Sequence, residues 1–386
     1  MKINIRLKNN QDPVHRMIPT NVSETFLPVF LSHSLRSFVW HLPVITFTIF
    51  FACGCKNSSA TEVAALEKEA HAARVIFETD MGNDIDDALA LDMLYKYADQ
   101  GKVELLAVNS NKDNEYSVRY IDILNTWYGY PKIPIGKVVK GIDSEHDSKN
   151  YAQSASEYRV DGEPAFKGSL TDYSKVPDAA QLYRQILAQQ PDSSVTIISV
   201  GFSTNIARLL HTPADEFSEL SGKELVARKV KLLSMMAGNF EVKRFAEYNV
   251  EKDIKAASTI FEEWPTPIVA SPWEVGNNIL YPATSIQNDF NWAAHHPVVV
   301  AYKSYLPMPY DRPTWDLTSV LYVVEGSEAF FTRSKQGTIK VDDRGITNFS
   351  EDPAGRHQYL KVTPQQAARV KERFIDLVIA KPKNLR

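Results

Sequence analysis

The sequence predicts an α/β protein whose mostly parallel, open sheet is flanked by helices, and two observations support this prediction. Short apolar runs rich in β-branched residues alternate with amphipathic helical segments from residue 74 onward. This alternation indicates parallel strands, because each strand must be joined to the next by a crossover helix. The alternation also never divides into two halves, so we expect a single domain over residues 74–386.

Each predicted element follows from its own periodicity. The strands are short apolar runs, and the helices carry apolar residues at intervals of three and four. In chain order, strands are predicted at 74–79, 103–110, 133–136, 194–201, 229–238 and 266–273, and helices at 86–99, 114–129, 178–190, 203–212 and 252–264. A loop-rich insertion without a clear period occupies 140–176. The C-terminal part is predicted to add a helix at 315–326, a hairpin at 337–350 and a closing helix at 364–381.

The composition is that of an ordinary globular protein with a sizeable core. The chain has 386 residues, of which 44% are hydrophobic and 23% charged, and its formal net charge is -4. The mild acidity and the absence of Lys and Arg blocks leave no basic surface for nucleic acid or for an anionic membrane surface. We therefore expect neither of these two partners.

The N-terminal residues have the pattern of a secretion signal. An apolar run over 38–52 is short for a membrane span and typical of the apolar region of a signal peptide. It ends in Ala-Cys-Gly-Cys, which resembles the lipobox of bacterial lipoproteins, where a small residue precedes the Cys that becomes lipidated. Cys55 fits this role better than Cys53, although Ala52 stands where the lipobox prefers Leu. The two cysteines are also half of a conceivable metal site, but no His or further Cys follows to complete one.

This pattern divides the chain into a signal peptide with its lipobox over 1–55, a tether over 56–73 and a catalytic domain over 74–386. Two or more acyl chains anchor a protein stably to a membrane. We therefore expect a protein of the bacterial cell envelope that is anchored by lipid at Cys55 and faces the periplasm or the outside. The sequence is compatible with a homo-oligomer and does not determine the oligomeric state.

Four aspartates crowd the loop between the first predicted strand and the first predicted helix: Asp80, Asp84, Asp86 and Asp87. The loop lies at the carboxyl edge of the sheet, where open α/β sheets bind ligands. Helix capping explains one or two of these acids, such as Asp84 and Asp86. It does not explain four, because unit charges about 4 Å apart repel by roughly 1 kcal/mol in water and by more in a partly buried cleft. A bound cation removes this repulsion, and oxygen ligands suit Ca²⁺ or Mg²⁺ rather than zinc.

Five motifs in the same order resemble those of the inosine-uridine nucleoside hydrolases. The segment ETDMGNDIDD at 78–87 resembles the Asp-x-Asp-Pro-Gly-x-Asp-Asp motif that opens the family. The other four, in chain order, are AVNSN at 107–111, SVGFSTNIA at 199–207, MMAGNF with AEYNVEKDIKAA at 235–257, and RPTWDLTSVLY at 312–322. The resemblance covers nearly all of 74–386 and implies an open α/β fold.

The resemblance also implies hydrolysis of the N-glycosidic bond of a nucleoside or related riboside, which needs an activated water and a hold on the sugar. Ca²⁺ is the implied cofactor, and its implied ligands are Asp80, both carboxylate oxygens of Asp87, the backbone carbonyl of Val200, and Asp316. Asp80 would also take the proton of the attacking water. The side chains implied to hold the ribose hydroxyls are Asp86, Asn111, Asn239, Glu247 and Asn249.

Several of these residues also have structural explanations. Asn239 follows a glycine and can be a turn residue, and Asn111 can be a strand-end or N-cap residue. Glu247 and Asn249 alternate on a stretch that the pattern describes as extended, and they can be solvated surface. We expect Asp253 to be the N-terminal acid of its helix rather than a ligand.

Three features depart from the family pattern. Glu78 stands where the family usually has Asp, and the loop from Asp80 to the next aspartate pair is longer, with Met81 in place of Pro. Trp315 stands where many members have a His that is thought to help the leaving base depart. Its indole is expected either to stack on a base or to belong to the core. If it cannot donate a proton, His146 and Tyr158 of the insertion are candidates to do so from above the site.

Two other classes of function stay open. A phosphohydrolase that begins with Asp-x-Asp after its first strand would need a Ser or Thr and a Lys at later strand ends, and no such ordered set is present. A non-catalytic lipoprotein that binds a nucleoside or sugar would keep the fold but lose the base, and the intact Asp80 argues against it.

Overall fold

The computed structural model describes residues 72–143, 150–240, 244–326 and 328–385. The predicted signal peptide, the lipobox with Cys55 and nearly all of the predicted tether lie outside these residues. The predicted fold class is confirmed, because a mostly parallel central sheet is flanked by helices over the described part of the chain.

The strands, in chain order, are β1 Ala73–Thr79, β2 Val103–Lys112, β3 Ile135–Ile142, β4 Arg159–Val160, β5 Glu163–Pro164, β6 Val195–Ser199, β7 Val230–Met236, β8 Ile268–Ser271, β9 Leu280–Tyr281, β10 Arg312–Pro313, β11 Thr332–Arg333, β12 Gly337–Val341, β13 Thr347–Glu351 and β14 His357–Lys361. The main sheet has the order β13-β12-β14-β8-β7-β6-β1-β2-β3, with β11 paired to β14. Its pairs from β14-β8 to β2-β3 are parallel, and the hairpin β12-β13 is antiparallel.

The helices, in chain order, are α1 Asp86–Asp99, α2 Glu115–Trp127, α3 Tyr151–Ser156, α4 Ala179–Ala188, α5 Thr204–Leu210, α6 Gly222–Lys229, α7 Tyr248–Lys252, α8 Ile254–Glu263, α9 Trp273–Asn277, α10 Ala283–Asn288, α11 Pro297–Tyr305, α12 Trp315–Glu325 and α13 Pro364–Val378. Within the described residues, none of these helices combines the length and the apolarity needed to cross a bilayer.

Strand β1 is buried on both faces of the sheet. Successive side chains of a strand point to opposite faces, and Val75 and Phe77 pack into one core while Ile76 packs into the other. The first core also holds Leu89 and Leu91 of α1, and the second holds Ile260 of α8. A strand covered on both faces needs apolar residues at every position, which explains the continuous apolar run after Arg74.

The chain changes direction across the sheet beside β1. It runs from β1 to β2 and β3 on one side, and then crosses to β6, β7 and β8 on the other side. In open α/β sheets, such a switch point leaves a crevice at the carboxyl ends of the two diverging strands. The residues that follow β1 and β6, namely Asp80 and Val200, therefore meet at this crevice.

The structure corrects the prediction in the insertion and the loops. Strand β3 continues to Ile142, and the insertion after it contains the short helix α3, whose Tyr151 is fully buried against Met81 of the loop after β1. Helix α6 was not predicted, although its capping box of Ser221 and Glu224 is visible in the sequence. Helices this short have too few residues to show a helical period.

Candidate active site

A cavity of about 270 Å³ lies at the crevice between β1 and β6. Six of its lining residues are acidic: Asp80, Asp84, Asp86, Asp87, Glu247 and Asp316. The other lining residues are Asn83, Val200, Met236, Tyr248, Asn249, Trp273, Arg312 and Trp315. The fold thus brings most of the predicted site residues together from segments as far apart as Asp80 and Asp316.

Asp80 is held in a tight turn that directly follows β1. The amide of Asn83 donates to the Asp80 carbonyl at 3.2 Å, and Gly82 between them has φ +111°, a conformation that favours glycine. The Asn83 side-chain amide donates to Oδ2 of Asp80 at 2.6 Å. Asp80 is only 4% exposed, and this burial raises the pKa of its carboxyl group to about 6.

Asp86 and Asp87 lie in the first turn of α1 but do not cap it. The N-cap residue is Ile85 and no side chain caps the helix, so neither Asp84 nor Asp86 is an N-cap, although Asp86 in the first turn suits the helix dipole. Asp86 instead accepts from the backbone amide of Asp316 at 3.1 Å, and so binds the first turn of α12. Asp87 accepts a hydrogen bond from the hydroxyl of Thr79. Both carboxylates are thereby fixed at the crevice.

A cluster of three carboxylates fits a metal ion. One oxygen each of Asp86, Asp87 and Asp316 lies within 4.8 Å of the others, and all three residues are buried. Burial raises the pKa of each well above its ordinary value, and the neighbouring carboxylates raise it further. A divalent cation would stabilise the charged forms, and its oxygen-only surroundings suit Ca²⁺ or Mg²⁺. The described residues therefore include a buried site that can bind a metal.

This three-residue cluster overlaps the predicted ligand set without matching it. Asp87 and Asp316 belong to both, whereas Asp86 was predicted to bind ribose. Asp80 and Val200 line the same cavity outside the cluster. The Val200 carbonyl accepts from the side-chain amide of Asn249 at 3.2 Å, which leaves a second lone pair for another partner.

Asp84 has a different role from its neighbours. It forms an ion pair with Arg312, whose Nε donates to Oδ1 at 2.8 Å and whose Nη2 donates to Oδ2. The guanidinium also lies over the rings of Tyr305 and Trp315, at 5.1 and 5.4 Å from their centroids. This pair fixes the far end of the loop to the segment before α12.

Glu247 and Asn249 line the cavity, and the description of their segment as extended or as solvated surface is wrong. Asn249 lies in α7, and Glu247 is the N-cap residue of that helix, accepting from the Asn249 amide at 3.0 Å. Both are buried, and burial raises the pKa of Glu247 to about 7. Asp253 caps α8 by accepting from the Ala256 amide at 3.1 Å, as predicted.

Asn111 and Asn239 are buried but are not among the residues that line the cavity. The Asn111 amide donates to Glu78 at 3.1 Å, and its oxygen accepts from the backbone amide of Phe202 at 3.1 Å. The backbone of Asn239 is bonded on both sides to the hydroxyl of Thr347. In this structure, Asn111 therefore supports the segments behind Asp80.

Trp315 lines the cavity and is half-buried. Its indole nitrogen donates to the backbone carbonyl of Trp273 at 2.9 Å. Gly276 lies so close that a Cβ there would come within 2.6 Å of the ring. Trp315 thus has its one donor occupied and its ring fixed, while one part of it still faces the cavity.

Sequence reasoning missed four polar or aromatic lining residues: Asn83, Tyr248, Trp273 and Arg312. Asn83 and Arg312 belong to motifs that were recognised, so their positions in those motifs could have identified them as site residues. Tyr158 packs on Phe166 and bonds to His295 at 3.4 Å, and it does not line the cavity. His146 lies outside the described residues.

Comparisons with known proteins identify the family and the fold of the chain. The family model of the inosine-uridine preferring nucleoside hydrolases matches residues 75–371, which is more than half of the chain. A search of curated proteins gives no match.

Solved structures share the fold at low sequence identity. A plant nucleoside hydrolase, PpNRh1, has a TM-score of 0.61 at 17% identity over 80% of this chain and 99% of that one. A purine-preferring ribonucleoside hydrolase from Gardnerella vaginalis has a TM-score of 0.61 at 17% identity over 79% and 98%. The type III effector XopQ, complexed with adenosine diphosphate ribose, has a TM-score of 0.57 at 15% identity over 83% and 99%. The family match over most of the domain shows that the chain belongs to the inosine-uridine preferring nucleoside hydrolases.

Proposed function

We propose that this protein is a Ca²⁺-dependent hydrolase that cleaves the N-glycosidic bond of a neutral nucleoside or related riboside and releases ribose and base. The buried carboxylates of Asp86, Asp87 and Asp316, with Asp80 beside them in one cavity, carry the proposal. Six acids around so small a space are unfavourable without a cation. The same set of oxygens suits both Ca²⁺ and the hydroxyls of a sugar.

In the proposed site, the cation would be held by Asp87, Asp316, Asp80 and the Val200 carbonyl, as the family resemblance implies, and Asp86 is close enough to be a further ligand. When bound, a divalent cation lowers the pKa of water and orients substrate oxygens. Burial raises the pKa of Asp80 to about 6, although Asn83 and Lys112 lower it, and this value is near that of an effective general base at neutral pH. Asp80 therefore takes the proton of the attacking water.

The ribose is held by the other side chains of the cavity. Glu247 and Asn249 project from the start of α7 beside Val200, where a carboxylate accepts from hydroxyls and an amide both accepts and donates. Asp86 adds a further acceptor. Asn111 and Asn239 remain proposed ribose contacts. Asn111 and Asp80 both lie next to Gly201.

The charge of the cavity favours a substrate without phosphate. Among the lining residues, Arg312 is the cation, and Asp84 already pairs with it. A phosphate group would enter a site with six carboxylates and would be repelled even beside a bound divalent ion. Inosine and uridine should therefore be better substrates than their 5′-monophosphates or adenosine diphosphate ribose. Equal turnover of inosine and its monophosphate would contradict this part of the proposal.

No histidine of the described residues and no Trp315 proton serves the leaving base. Within the described residues, no histidine lines the cavity, and the indole of Trp315 cannot act as a general acid near neutral pH. Positioned acids contribute about 10²–10⁴-fold. We therefore expect p-nitrophenyl riboside, which has a good leaving group, to be hydrolysed faster than inosine or uridine. Turnover of inosine or uridine equal to that of the activated riboside would show that a replacement acid exists.

Release of free ribose from a panel of nucleosides, with and without chelator, tests the proposed activity. Ribose release should require Ca²⁺, and Asp80→Asn should abolish it while the protein stays folded by circular dichroism. Ribose release by Asp80→Asn near the wild-type rate, or by metal-free enzyme, would rule out these roles. A protein that binds nucleosides but never releases ribose would instead be the non-catalytic alternative.

The location is proposed from the sequence alone. The apolar run over 38–52 and the Cys-Gly-Cys that ends at Cys55 support a mature lipoprotein of the bacterial envelope, which begins at Cys55. Mass spectrometry of the membrane fraction should find a diacylated or triacylated Cys55 as the first residue. An unmodified N-terminus upstream of Cys55 would contradict the anchor.

A further inference from the structure

Lys112 is a buried lysine that contacts the loop of the candidate active site. It is the last residue of β2 and is 1% exposed. Its ammonium group donates to Oδ1 of Asn83 at 2.6 Å. Within the described residues, this ammonium has no other hydrogen-bond partner and no carboxylate in ion-pair contact. The charge of Lys112 lowers the pKa of the Asp80 carboxyl, yet the hydrogen bond of its ammonium group goes to the neutral Asn83 amide that lies between them.

The lysine determines the orientation of the Asn83 side chain. The oxygen and nitrogen of an amide side chain differ little in shape, so the amide can point either way unless its partners discriminate. An ammonium group has three donors and no acceptor. The amide oxygen of Asn83 must therefore face Lys112, and its NH₂ group must face Asp80.

The oriented NH₂ group then acts on Asp80. It donates to Oδ2 of Asp80 at 2.6 Å. On the other side, Oδ1 of Asp80 lies against Gly201, where a Cβ would come within 2.8 Å of it. One carboxylate oxygen is thus occupied by Asn83, and the other is confined beside Val200 and the cavity.

We infer that Lys112 and Asn83 are positioning residues, and that the lysine acts through the amide to fix the Asp80 carboxylate in the orientation needed for proton transfer and cation binding. The inference rests on the proposed function, in which Asp80 is both ligand and base. In the motif Asp-x-Asp-Pro-Gly-x-Asp-Asp, Asn83 takes the variable position after the Gly, and in this chain it connects Asp80 to a buried cation.

The test is a double-mutant cycle with Lys112→Met and Asn83→Ala. Methionine keeps the length of the lysine side chain but has neither its charge nor its donors, so the Asn83 amide is free to turn over. Each single variant should lower kcat on p-nitrophenyl riboside by about 10–100-fold with little change in KM, because a misplacement of about 1 Å costs about this much. The double variant should be no slower than the worse single variant, because both act through one contact.

Asn83→Asp separates orientation from charge. The new carboxylate still accepts from Lys112 but offers no N–H to Asp80, so kcat should fall below that of Asn83→Ala. Lys137→Met is the matched control, since the ammonium group of this half-buried lysine on β3 donates to the backbone carbonyls of Tyr173 and Ser174. It should leave kcat unchanged.

Calorimetric titration with Ca²⁺ gives a second readout that does not depend on turnover. If Asp80 is misplaced, both single variants should bind Ca²⁺ more weakly by a similar factor, and the double variant no more weakly than either.

Multiplicative losses in the double variant, or an Asn83→Asp variant as active as the wild type, would overturn the inference. A wild-type protein that binds Ca²⁺ but releases no ribose would refute the proposed function, and the calorimetric cycle would still decide the positioning role. If Lys112→Met does not fold, Asn83→Asp and Asn83→Ala decide it.

Discussion

Helix α1 carries two groups of buried acids whose surroundings differ. In its first turn, Asp86 and Asp87 lie beside Asp316 and accept from the Asp316 amide and the Thr79 hydroxyl. Burial raises the pKa of Asp86, and the charge of Arg312, which is paired with Asp84, lowers it in part. Further along the helix, Asp92 is fully buried but pairs with Lys96 at 2.9 Å and accepts from the hydroxyl of Tyr128. Within the described residues, the first group has no cation in ion-pair contact and its carboxyl pKa values are raised, whereas the second group is neutral as a unit.

This difference distinguishes acids of a binding site from acids that stabilise the fold. Buried acids that stabilise a fold come with their cation, because an uncompensated buried charge is strongly unfavourable. Buried acids without a paired cation in the protein are candidates to bind a metal ion or a substrate. The structure of α1 therefore teaches that the partners of a buried acid, rather than its burial, indicate whether it is functional.

The largest expected effect comes from Asp87→Asn, which keeps the side-chain shape and the acceptor for Thr79. Ribose release should fall by about 10³-fold or more, because a metal site contributes several kcal/mol and each 1.36 kcal/mol is a factor of ten. In chelator, the free energy of unfolding should rise by about 1–2 kcal/mol, because a repulsive charge has been removed. Urea unfolding measures the free energy of unfolding, and a ribose assay measures turnover. A loss of stability in chelator would contradict the view that Asp87 is a site acid rather than an acid that stabilises the fold.

The opposite pattern is expected for Asp92→Asn. It leaves the Lys96 ammonium buried without a counter-charge, so the free energy of unfolding should fall by about 3–5 kcal/mol. Ribose release per folded molecule should stay near that of the wild type. The double variant Asp92→Leu with Lys96→Met is the control and should be more stable than the single variant, since no charge is left unpaired. A lower kcat in the folded single variant would show that this pair also serves the reaction.

Gly201→Ala should impair the site by displacing the groups behind Asp80. A Cβ at this position would lie 2.6 Å from the Asp80 amide and 2.5 Å from Oδ1 of Asn111, so both must move. We expect kcat to fall by about 10²-fold. Gly101→Ala is the control: its φ of +71° makes alanine cost about 1 kcal/mol of stability, but nothing lies within 4 Å, so kcat should not change. Similar kcat values for the two variants would contradict this expectation.

The smallest expected effect concerns His357 at the start of β14. Like the Asp92 and Lys96 pair, it is buried without a net charge. Its Nδ1 accepts from the Ile339 amide at 2.9 Å, and burial lowers its pKa to about 4, helped by the nearby charge of Arg356. Between pH 6.5 and about 4, the unfolded chain binds a proton that the folded one does not, so this stability is present above pH 6.5 and is lost as the pH falls. From pH 7 to 5 the loss should be about 2 kcal/mol.

The variant His357→Asn isolates that contribution. Asparagine keeps an acceptor near Nδ1 but does not titrate in this range. The difference in unfolding free energy between wild type and variant should therefore shrink by about 2 kcal/mol from pH 7 to pH 5. A difference that is independent of pH would show that His357 is not a buried neutral group.

The sequence by itself determined the strands and helices that repeat a local pattern. Helix α1 was predicted from Asp86 to Asp99 as the structure has it, because a long run of strong helix formers such as Ala, Leu and Met needs no information from elsewhere in the chain. The aspartate loop followed from the same reasoning, since parallel strands place their carboxyl ends at one edge. Short helices such as α7 were missed, because five residues are too few to show a period and their stability comes from caps such as Glu247.

The tertiary structure alone decided which side chains meet. Asp86 accepts from an amide 230 residues away, and Asp84 pairs with a guanidinium 228 residues away. It also separated Asn111 from the cavity lining by bonding it to Glu78, and it placed Lys112 behind Asn83. Periodicity along the chain reports only which face of an element is apolar, and carries no information on these pairings. Contacts between distant segments depend on how the buried faces pack. Which charges of the site are paired is therefore visible only in the tertiary structure.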